Sequence, residues 1–421
     1  MSHIGLLAWI WGFGHALYLG AATYVLRRPA SAPSSRLPGR TLALVLAVGL
    51  VPRVLFLPAA PTLSEDLYRY LWDGRVAAHG WNPFASAPSD PSFASWHDAN
   101  DPLYPRLNHA TVPTIYPPAA QGLFALAWRL GGTPLAWKAE LLVLEVGLVA
   151  ALVALLRRRK LPPERLLLYY WNPLVVVECY GSGHVDLAAA AFLALSLSLL
   201  ERNGLRRQIG AGVALAAAAL VKLVPLLLIP ALVRRRAWTV LAVAAGAMAL
   251  GVVPFLGAGA NLTEGLRTYA RHWEYNGPLY AAIRPWFRTG DEPRLLLAAA
   301  LAVALAAIAW RSRTLSGAAL ASWTAFLLLS PTVYPWYLVP LVALLPLHPD
   351  PGLLLFSGTV ALTYLPLPLY RATGVWSVPA WIRWVEYGSL AATWLAAAGN
   401  AALAARAQAR RAAWATESSP T

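Results

Sequence analysis

The chain has 421 residues, 58% of them hydrophobic and only 13% charged, with a positive mean hydropathy. Soluble domains carry about 25% charged residues, so the composition excludes an ordinary soluble globule and implies an all-α polytopic membrane protein. The net charge of +15 comes from arginines clustered between apolar runs, which excludes a nucleic-acid partner, and the single cysteine, Cys179, excludes an intrachain disulfide.

The first apolar span covers residues 4–26 and is followed by Arg27, Arg28, Arg36 and Arg40. Its positive flank lies at the C-terminal end, as in a membrane helix rather than a cleaved signal peptide. The positive-inside rule then puts the N-terminus outside and 27–40 in the cytoplasm. A second span, 41–60, runs outward and delivers Ser-Glu-Asp-Leu-Tyr-Arg-Tyr-Leu-Trp-Asp-Gly at 64–74 to the outer face. Residues 61–115 hold six acidic side chains against three arginines, opposite in bias to the arginine-rich loops. Within them 66–79 has helical character, ending at Gly80, and the Pro/Ser/Asp run up to Asp101 reads as ordered loop.

The apolar run after Tyr116-Pro117-Pro118 is about 14 residues long, roughly 21 Å of helix against a bilayer core of about 30 Å. It is expected to lie in the outer interface, closing a first extracytoplasmic loop at 61–132. Spans at 137–156, 166–179 and 187–200 follow. The half-length runs 209–221 and 223–233 come next, with Lys222 between them. Further spans are expected at 238–256, 295–310, 320–333, 337–347, 353–367 and 385–405, before a cytoplasmic tail at 406–421. The total is about thirteen spans in a single integral-membrane domain. The inside loops then hold 20 of the 34 Lys and Arg residues.

In this topology every unusual polar group falls on the outer side. These groups are Glu65, Asp66, Asp73, Asn108, His109, His184, Asp186, Lys222, the stretch His272-Trp273-Glu274-Tyr275-Asn276, and Tyr334-Pro335-Trp336-Tyr337. Asp66 is the candidate base: a carboxylate beside a membrane cavity can take a proton from an attacking hydroxyl. The competing reading makes it a first-turn or capping acid of the helix it opens, with Glu65 as cap or salt-bridge partner. His184 and Asp186 follow a Gly-Ser-Gly turn and either bind substrate hydroxyls, orient the base, or serve only as turn residues. Lys222 either meets a lipid phosphate or snorkels to an interface. Arg267, Arg271, Arg284 and Arg288 compete for the phosphate.

These residues resemble the GT-C superfamily of integral-membrane glycosyltransferases, and in particular its bacterial branch that uses polyprenyl-phosphate sugars, including actinobacterial mannosyltransferases. The resemblance rests on the 64–74 stretch, Asn82-Pro83-Phe84, Pro113-Thr-Ile-Tyr-Pro-Pro118, Ser-Gly-His-Val-Asp at 182–186, Lys222-Leu-Val-Pro225 and Ser330-Pro-Thr-Val-Tyr-Pro-Trp-Tyr337. It implies a GT-C-like bundle with juxtamembrane helices in the first outer loop and Asp66 as catalytic base. It also implies substrate contacts from Glu65, Arg69, Tyr70, Asp73, Asn108, His109, Tyr116, His184, Asp186, Lys222, His272, Trp273, Asn276, Tyr334, Trp336 and Tyr337. Two departures stand out. Glu65 occupies a place where related sequences often have Asp, and Tyr334 a place where His often precedes Pro-Trp-Tyr.

The implied reaction is inverting transfer of a hexose, mannose above others, from a polyprenyl-phosphate donor to a glycan, glycolipid or protein hydroxyl outside the cell membrane. No metal or other cofactor is expected. A lipid-linked-sugar transporter or flippase, or a lipid-binding scaffold, would be the alternatives. A transporter would carry polar groups along its whole path.

Overall fold

A computed structural model describes residues 3–27 and 38–417. The connector expected at 27–40 falls mostly outside the described residues, as do the last four residues of the tail. The described residues are mostly helical and include no strand, only isolated bridges from Tyr275 and Asn276 to Thr332.

Helices of nine or more residues are α1 (His3–Arg27), α2 (Pro38–Phe56), α3 (Asp66–Ala78), α4 (Pro118–Arg129), α5 (Pro134–Arg158), α6 (Asp186–Leu200), α7 (Leu205–Val221), α8 (Trp238–Val252), α9 (Glu264–His272), α10 (Asp291–Arg311), α11 (Leu315–Leu329), α12 (Pro351–Thr359) and α13 (Ala380–Glu417). Both loop helices expected from sequence, α3 and α4, form.

The protein is an all-α polytopic membrane protein. Among the described residues five helical stretches are long and apolar enough to cross a bilayer, at Gly39–Phe56, Pro134–Arg158, Trp238–His272, Asp291–Arg311 and Pro351–Thr373. A sixth arises if Pro173–Gly181 and α6, bent by 120°, count as one span. Length and apolarity therefore support five or six crossings against the thirteen expected. The runs at 166–179, 223–233 and 337–347 are divided into short α and 3-10 segments, several opening on a proline. Proline lacks the N–H that would continue a helix into them.

The arginine-rich connections gather at one end of the bundle. Arg158 donates to the Ser198 carbonyl, and Arg159 pairs with Glu201 and approaches His348 Nε2 at 3.2 Å. His348 in turn meets the Ser316 hydroxyl at 2.7 Å, and Arg235 donates to the Ser312 carbonyl at 3.0 Å. The antiparallel hairpin α6–α7 runs from this end to the other, where it presents Asp186 and Lys222.

At that second end, α3 and α4 are in close contact. A Cβ on Gly74 would lie 2.1 Å from the Phe124 carbonyl oxygen, so only glycine allows this approach. Tyr70 stacks on Phe124 beside it at 4.6 Å. The Asn82-Pro83-Phe84 motif ties the same loop to the chain after α8: Asn82 donates to the Phe255 carbonyl at 3.0 Å and accepts from the Phe84 amide.

One ion pair is buried inside the bundle. Arg53 of α2 donates to both Glu145 oxygens (2.6 and 2.8 Å) and to the carbonyls of Gly49 and Tyr170. Glu145 also accepts from the Tyr169 and Tyr180 hydroxyls. Every lone charge there is answered, as burial in a low-dielectric interior requires.

Candidate active site

A cavity of about 940 Å³ opens between the α3 N-terminus, the 108–117 loop, the end of α7, α9, and the 330–337 and 364–376 segments. Asp66 stands at its edge. The backbone N–H of Asp66 donates to the Ser64 hydroxyl at 3.2 Å, and Glu65, the N-cap residue, makes no side-chain cap bond. Asp66 is thus the first-turn acid of α3, as the competing reading has it, while its carboxylate is directed to Asn108 and His184 rather than to a cap bond. One carboxylate oxygen accepts from Asn108 Nδ2 at 3.3 Å, and the other lies 3.7 Å from His184 Nδ1. The side chain keeps 20% exposure, enough to meet a substrate. Burial pushes its pKa up to about 6, helped by Asp186 and Glu65 and opposed by the Asn108 amide and the Lys222 charge. Such a group is ionised at neutral pH yet basic enough to accept a proton.

The two most specific pieces of sequence prove to be one network. Arg69 Nε pairs with Asp73 at 2.9 Å, and its Nη1 donates to the Val112 carbonyl at 3.0 Å. Asp73 accepts from the Thr114 hydroxyl at 2.6 Å, and Gln121 bonds the same hydroxyl and the Tyr116 carbonyl. Residues 112–116 are thus pinned onto α3. Asp73 itself lies behind the cavity wall, whereas Glu65, Arg69, Tyr70, Asn108, His109 and Tyr116 line it. Burial, then Arg69, holds the His109 imidazole below its usual pKa.

Lys222 occupies the extended break after α7, with Nζ 2.5 Å from Asp186 and 3.7 Å above the Tyr337 ring. A glycine makes this possible on the Asp186 side. Gly183 has φ +80°, and a Cβ there would lie 2.6 Å from Leu67 Cδ1. The sharp turn brings His184 and Asp186 back toward α3. Trp137 holds it by donating to the Gly183 carbonyl at 2.6 Å.

Four flat rings stack along one wall: Tyr275 on Tyr334 (4.3 Å), Tyr334 on Trp336 (4.5 Å) and Trp336 on His184 (3.8 Å). The wall exists because 273–276 and 330–333 exchange backbone hydrogen bonds, Tyr275 to Pro331 and Val333 to Tyr275. His272, Trp273, Tyr334, Trp336 and Tyr337 line the cavity, and Tyr337 shares a hydroxyl hydrogen bond with Tyr269. Asn276 turns away from the cavity lining to donate to Glu386 of α13 at 2.7 Å. His184, fully buried, sits behind Trp336.

Residues without a place in the sequence reading also stand at or behind the cavity wall. Arg294 reaches the wall, paired with Glu274 at 2.9 Å, whereas Arg267, Arg271, Arg284 and Arg288 do not line the cavity. Tyr269 and Tyr364 also line it. Glu178, wholly buried, places Oε2 3.4 Å from His184 Nε2 and accepts from the Tyr364 hydroxyl at 2.9 and 3.0 Å. An acid inside an apolar run was the available signal for Glu178.

Among the described residues, no group of three or more His, Cys, Asp or Glu side chains is arranged to hold a metal ion. No curated protein matches the chain. The sequence model of the MptA_B family, described as the alpha-(1->6)-mannopyranosyltransferase N-terminal domain, matches residues 2–238, more than half of the chain and all of its length from Asp66 to Lys222. The chain belongs to this mannosyltransferase family.

Proposed function

We propose that the protein transfers mannose from a polyprenyl-phosphate donor to an acceptor hydroxyl, with inversion, at a site facing the extracytoplasmic side of the cell membrane. The observation that carries this reading is that one partly exposed carboxylate, Asp66, and the cationic side chains of Lys222 and Arg294 line a single cavity. The stacked rings of Tyr334 and Trp336 offer flat apolar surface suited to a sugar face, and Asn108 and His109 offer polar groups for its hydroxyls. The gathering of arginine loops at the far end of the bundle supports the orientation through the positive-inside rule.

In this mechanism the acceptor O–H bond breaks and its proton passes to Asp66. The freed oxygen forms a bond to the anomeric carbon from the face opposite the phosphate, while the bond from that carbon to the phosphate oxygen breaks. The electron pair leaves with the polyprenyl phosphate. Its developing charge is met by Lys222 and Arg294, fixed cations that need little reorganisation. General-base assistance of this kind contributes about 10²- to 10⁴-fold.

The test is transfer by purified protein supplied with polyprenyl-phosphate mannose and an oligomannoside acceptor. Folded Asp66→Asn should lose at least about 100-fold in donor consumption, and the product anomer should be opposite to the donor's. Near-normal transfer by Asp66→Asn would move the base elsewhere, and retention would exclude single displacement. Labelling of a cysteine placed at Asn100 only from the cytoplasm would overturn the orientation.

A further inference from the structure

The wholly buried ring of His184 has a carboxyl group opposite each of its nitrogens. Nε2 lies 3.4 Å from Glu178 and Nδ1 lies 3.7 Å from Asp66, and neither nitrogen has a hydrogen-bond partner at normal length. Trp336 stacks on the ring face at 3.8 Å, which limits how far the ring can tilt. Reaching the usual length of about 2.9 Å takes a slide of about 0.5 Å toward Glu178 or about 0.8 Å toward Asp66.

We propose that Glu178 is a positioning residue for Asp66, acting through His184: it fixes a ring N–H on the Nδ1 side, where that hydrogen faces the base. The assignment rests on the Asp66 role given above. It assigns two protons to the Glu178–His184 pair. A neutral imidazole has one N–H and one acceptor nitrogen, whereas an imidazolium has two N–H groups. With Glu178 protonated, its hydrogen occupies Nε2 and the ring's own hydrogen must sit on Nδ1. With the same two protons and Glu178 ionised, the ring carries both hydrogens; the assignment is to this two-proton state, because a neutral ring donating Nε2–H to an ionised Glu178 would leave Nδ1 bare. The two arrangements contain the same number of protons, and in both Nδ1–H faces Asp66. Tyr364 holds Glu178 in place by donating to its carboxyl group.

A hydrogen aimed at the ionised form of Asp66 keeps that form available at lower pH. Without Glu178 the imidazole is free to take the other tautomer, which would turn a bare nitrogen lone pair toward a carboxylate. The other charged and titratable groups around the set are Glu65, Lys222, Asp186, Tyr70, Tyr116, Tyr269, Tyr334 and Tyr364 near Asp66, Lys222 near His184, and Asp186, Cys179, Tyr275 and Tyr364 near Glu178. None of them sits between a ring nitrogen and its carboxyl group.

The test reads Asp66 itself, so it does not depend on knowing the donor. The protonated-carboxyl infrared band that disappears in Asp66→Asn is titrated in purified protein in lipid nanodiscs. Glu178→Leu and His184→Phe should each shift its midpoint upward by about one pH unit. Glu178→Gln, whose amide still donates to Nε2, should leave the midpoint at the wild-type position whatever happens to the rate. Monodisperse elution and a retained unfolding transition show which variants are folded, and either of the two shifting variants suffices. An unshifted midpoint in folded Glu178→Leu or His184→Phe would overturn the proposal, as would equal shifts in Glu178→Gln and Glu178→Leu. If the wild type fails to use polyprenyl-phosphate mannose while these shifts appear, the donor assignment fails and the positioning role stands.

Discussion

Lys222 and Asp186 meet at 2.5 Å across the mouth of the α6–α7 hairpin, and the same ammonium lies over the Tyr337 ring. The pair joins the first residue of one helix to the residue that ends the other, so it closes the hairpin and displays a cation to the cavity. Lys222→Met should lower transfer by about 100-fold, the usual loss when a donor to a developing anion is removed. Lys222→Arg should lose less, because it keeps the charge. Lys222→Met also leaves the Asp186 carboxylate unpaired, so the double variant with Asp186→Asn should melt at a higher temperature than Lys222→Met alone. Thermal unfolding in detergent, read beside transfer rates, separates the two effects.

The raised pKa of Asp66 sets two pH dependences. A base must be ionised, so transfer should fall as pH drops through about 6 and level off above it. Stability runs the other way. Because the folded value lies above the ordinary 3.8, folding favours the protonated form. That contribution is fully present below about 3.8 and is lost as pH rises through about 6. Asp66→Asn, which is always neutral, should therefore melt no lower than the wild type at pH 7.5. The gap between them should narrow as pH falls to 5. A melting temperature for Asp66→Asn below that of the wild type at pH 7.5 would contradict burial as the cause.

The parts of this site that could be read from sequence were those where polarity interrupts an apolar chain. Asp66, Lys222 and the 334–337 motif all stand out in that way, and all line the cavity. What sequence could not supply is direction. Asp73 and Asn276 are as polar as their neighbours, yet one binds the 112–116 segment and the other binds α13. Glu178 was hidden because a single acid scarcely alters the hydropathy of its span, and its meaning depends on the turn at Gly183 that brings His184 beside it. The difference between thirteen expected spans and five or six helices long and apolar enough to cross has a related reason. Hydropathy registers apolar runs but does not register where prolines such as Pro173, Pro225 and Pro340 divide them into short helical segments.

The turn at Gly183 should be intolerant of even one added carbon. Its φ of +80° disfavours any L side chain, and a Cβ would lie 2.6 Å from Leu67 and 3.3 Å from Trp137. Gly183→Ala is expected to cost about 1–3 kcal/mol and to displace His184 and Asp186 together, so transfer should fall further than stability alone explains. Gly147→Ala is the matching control. That residue is helical with open space around it, so alanine should be neutral or slightly stabilising. Equal melting temperatures for the two variants would show that the turn is less constrained than its geometry implies.

The Arg53–Glu145 pair permits a stability prediction that does not involve the chemistry. Both side chains are almost wholly shielded, and removing either leaves the other's charge without its partner in the bundle interior. Arg53→Met should cost about 3–5 kcal/mol. Glu145 would keep the Tyr169 and Tyr180 hydroxyls, but two neutral donors do not replace a guanidinium bound through both oxygens. Glu145→Leu should be comparably harmful, since Arg53 would retain two carbonyls and the Tyr170 and Tyr180 rings, 3.8 and 5.5 Å away, but no anion. The double variant Arg53→Met/Glu145→Leu should recover much of the loss, because neither charge is then stranded. A double variant no more stable than the worse single variant would mean that the pair is needed for its hydrogen bonds to the α2 and 169–180 backbone and tyrosines, and not merely for mutual charge neutralisation.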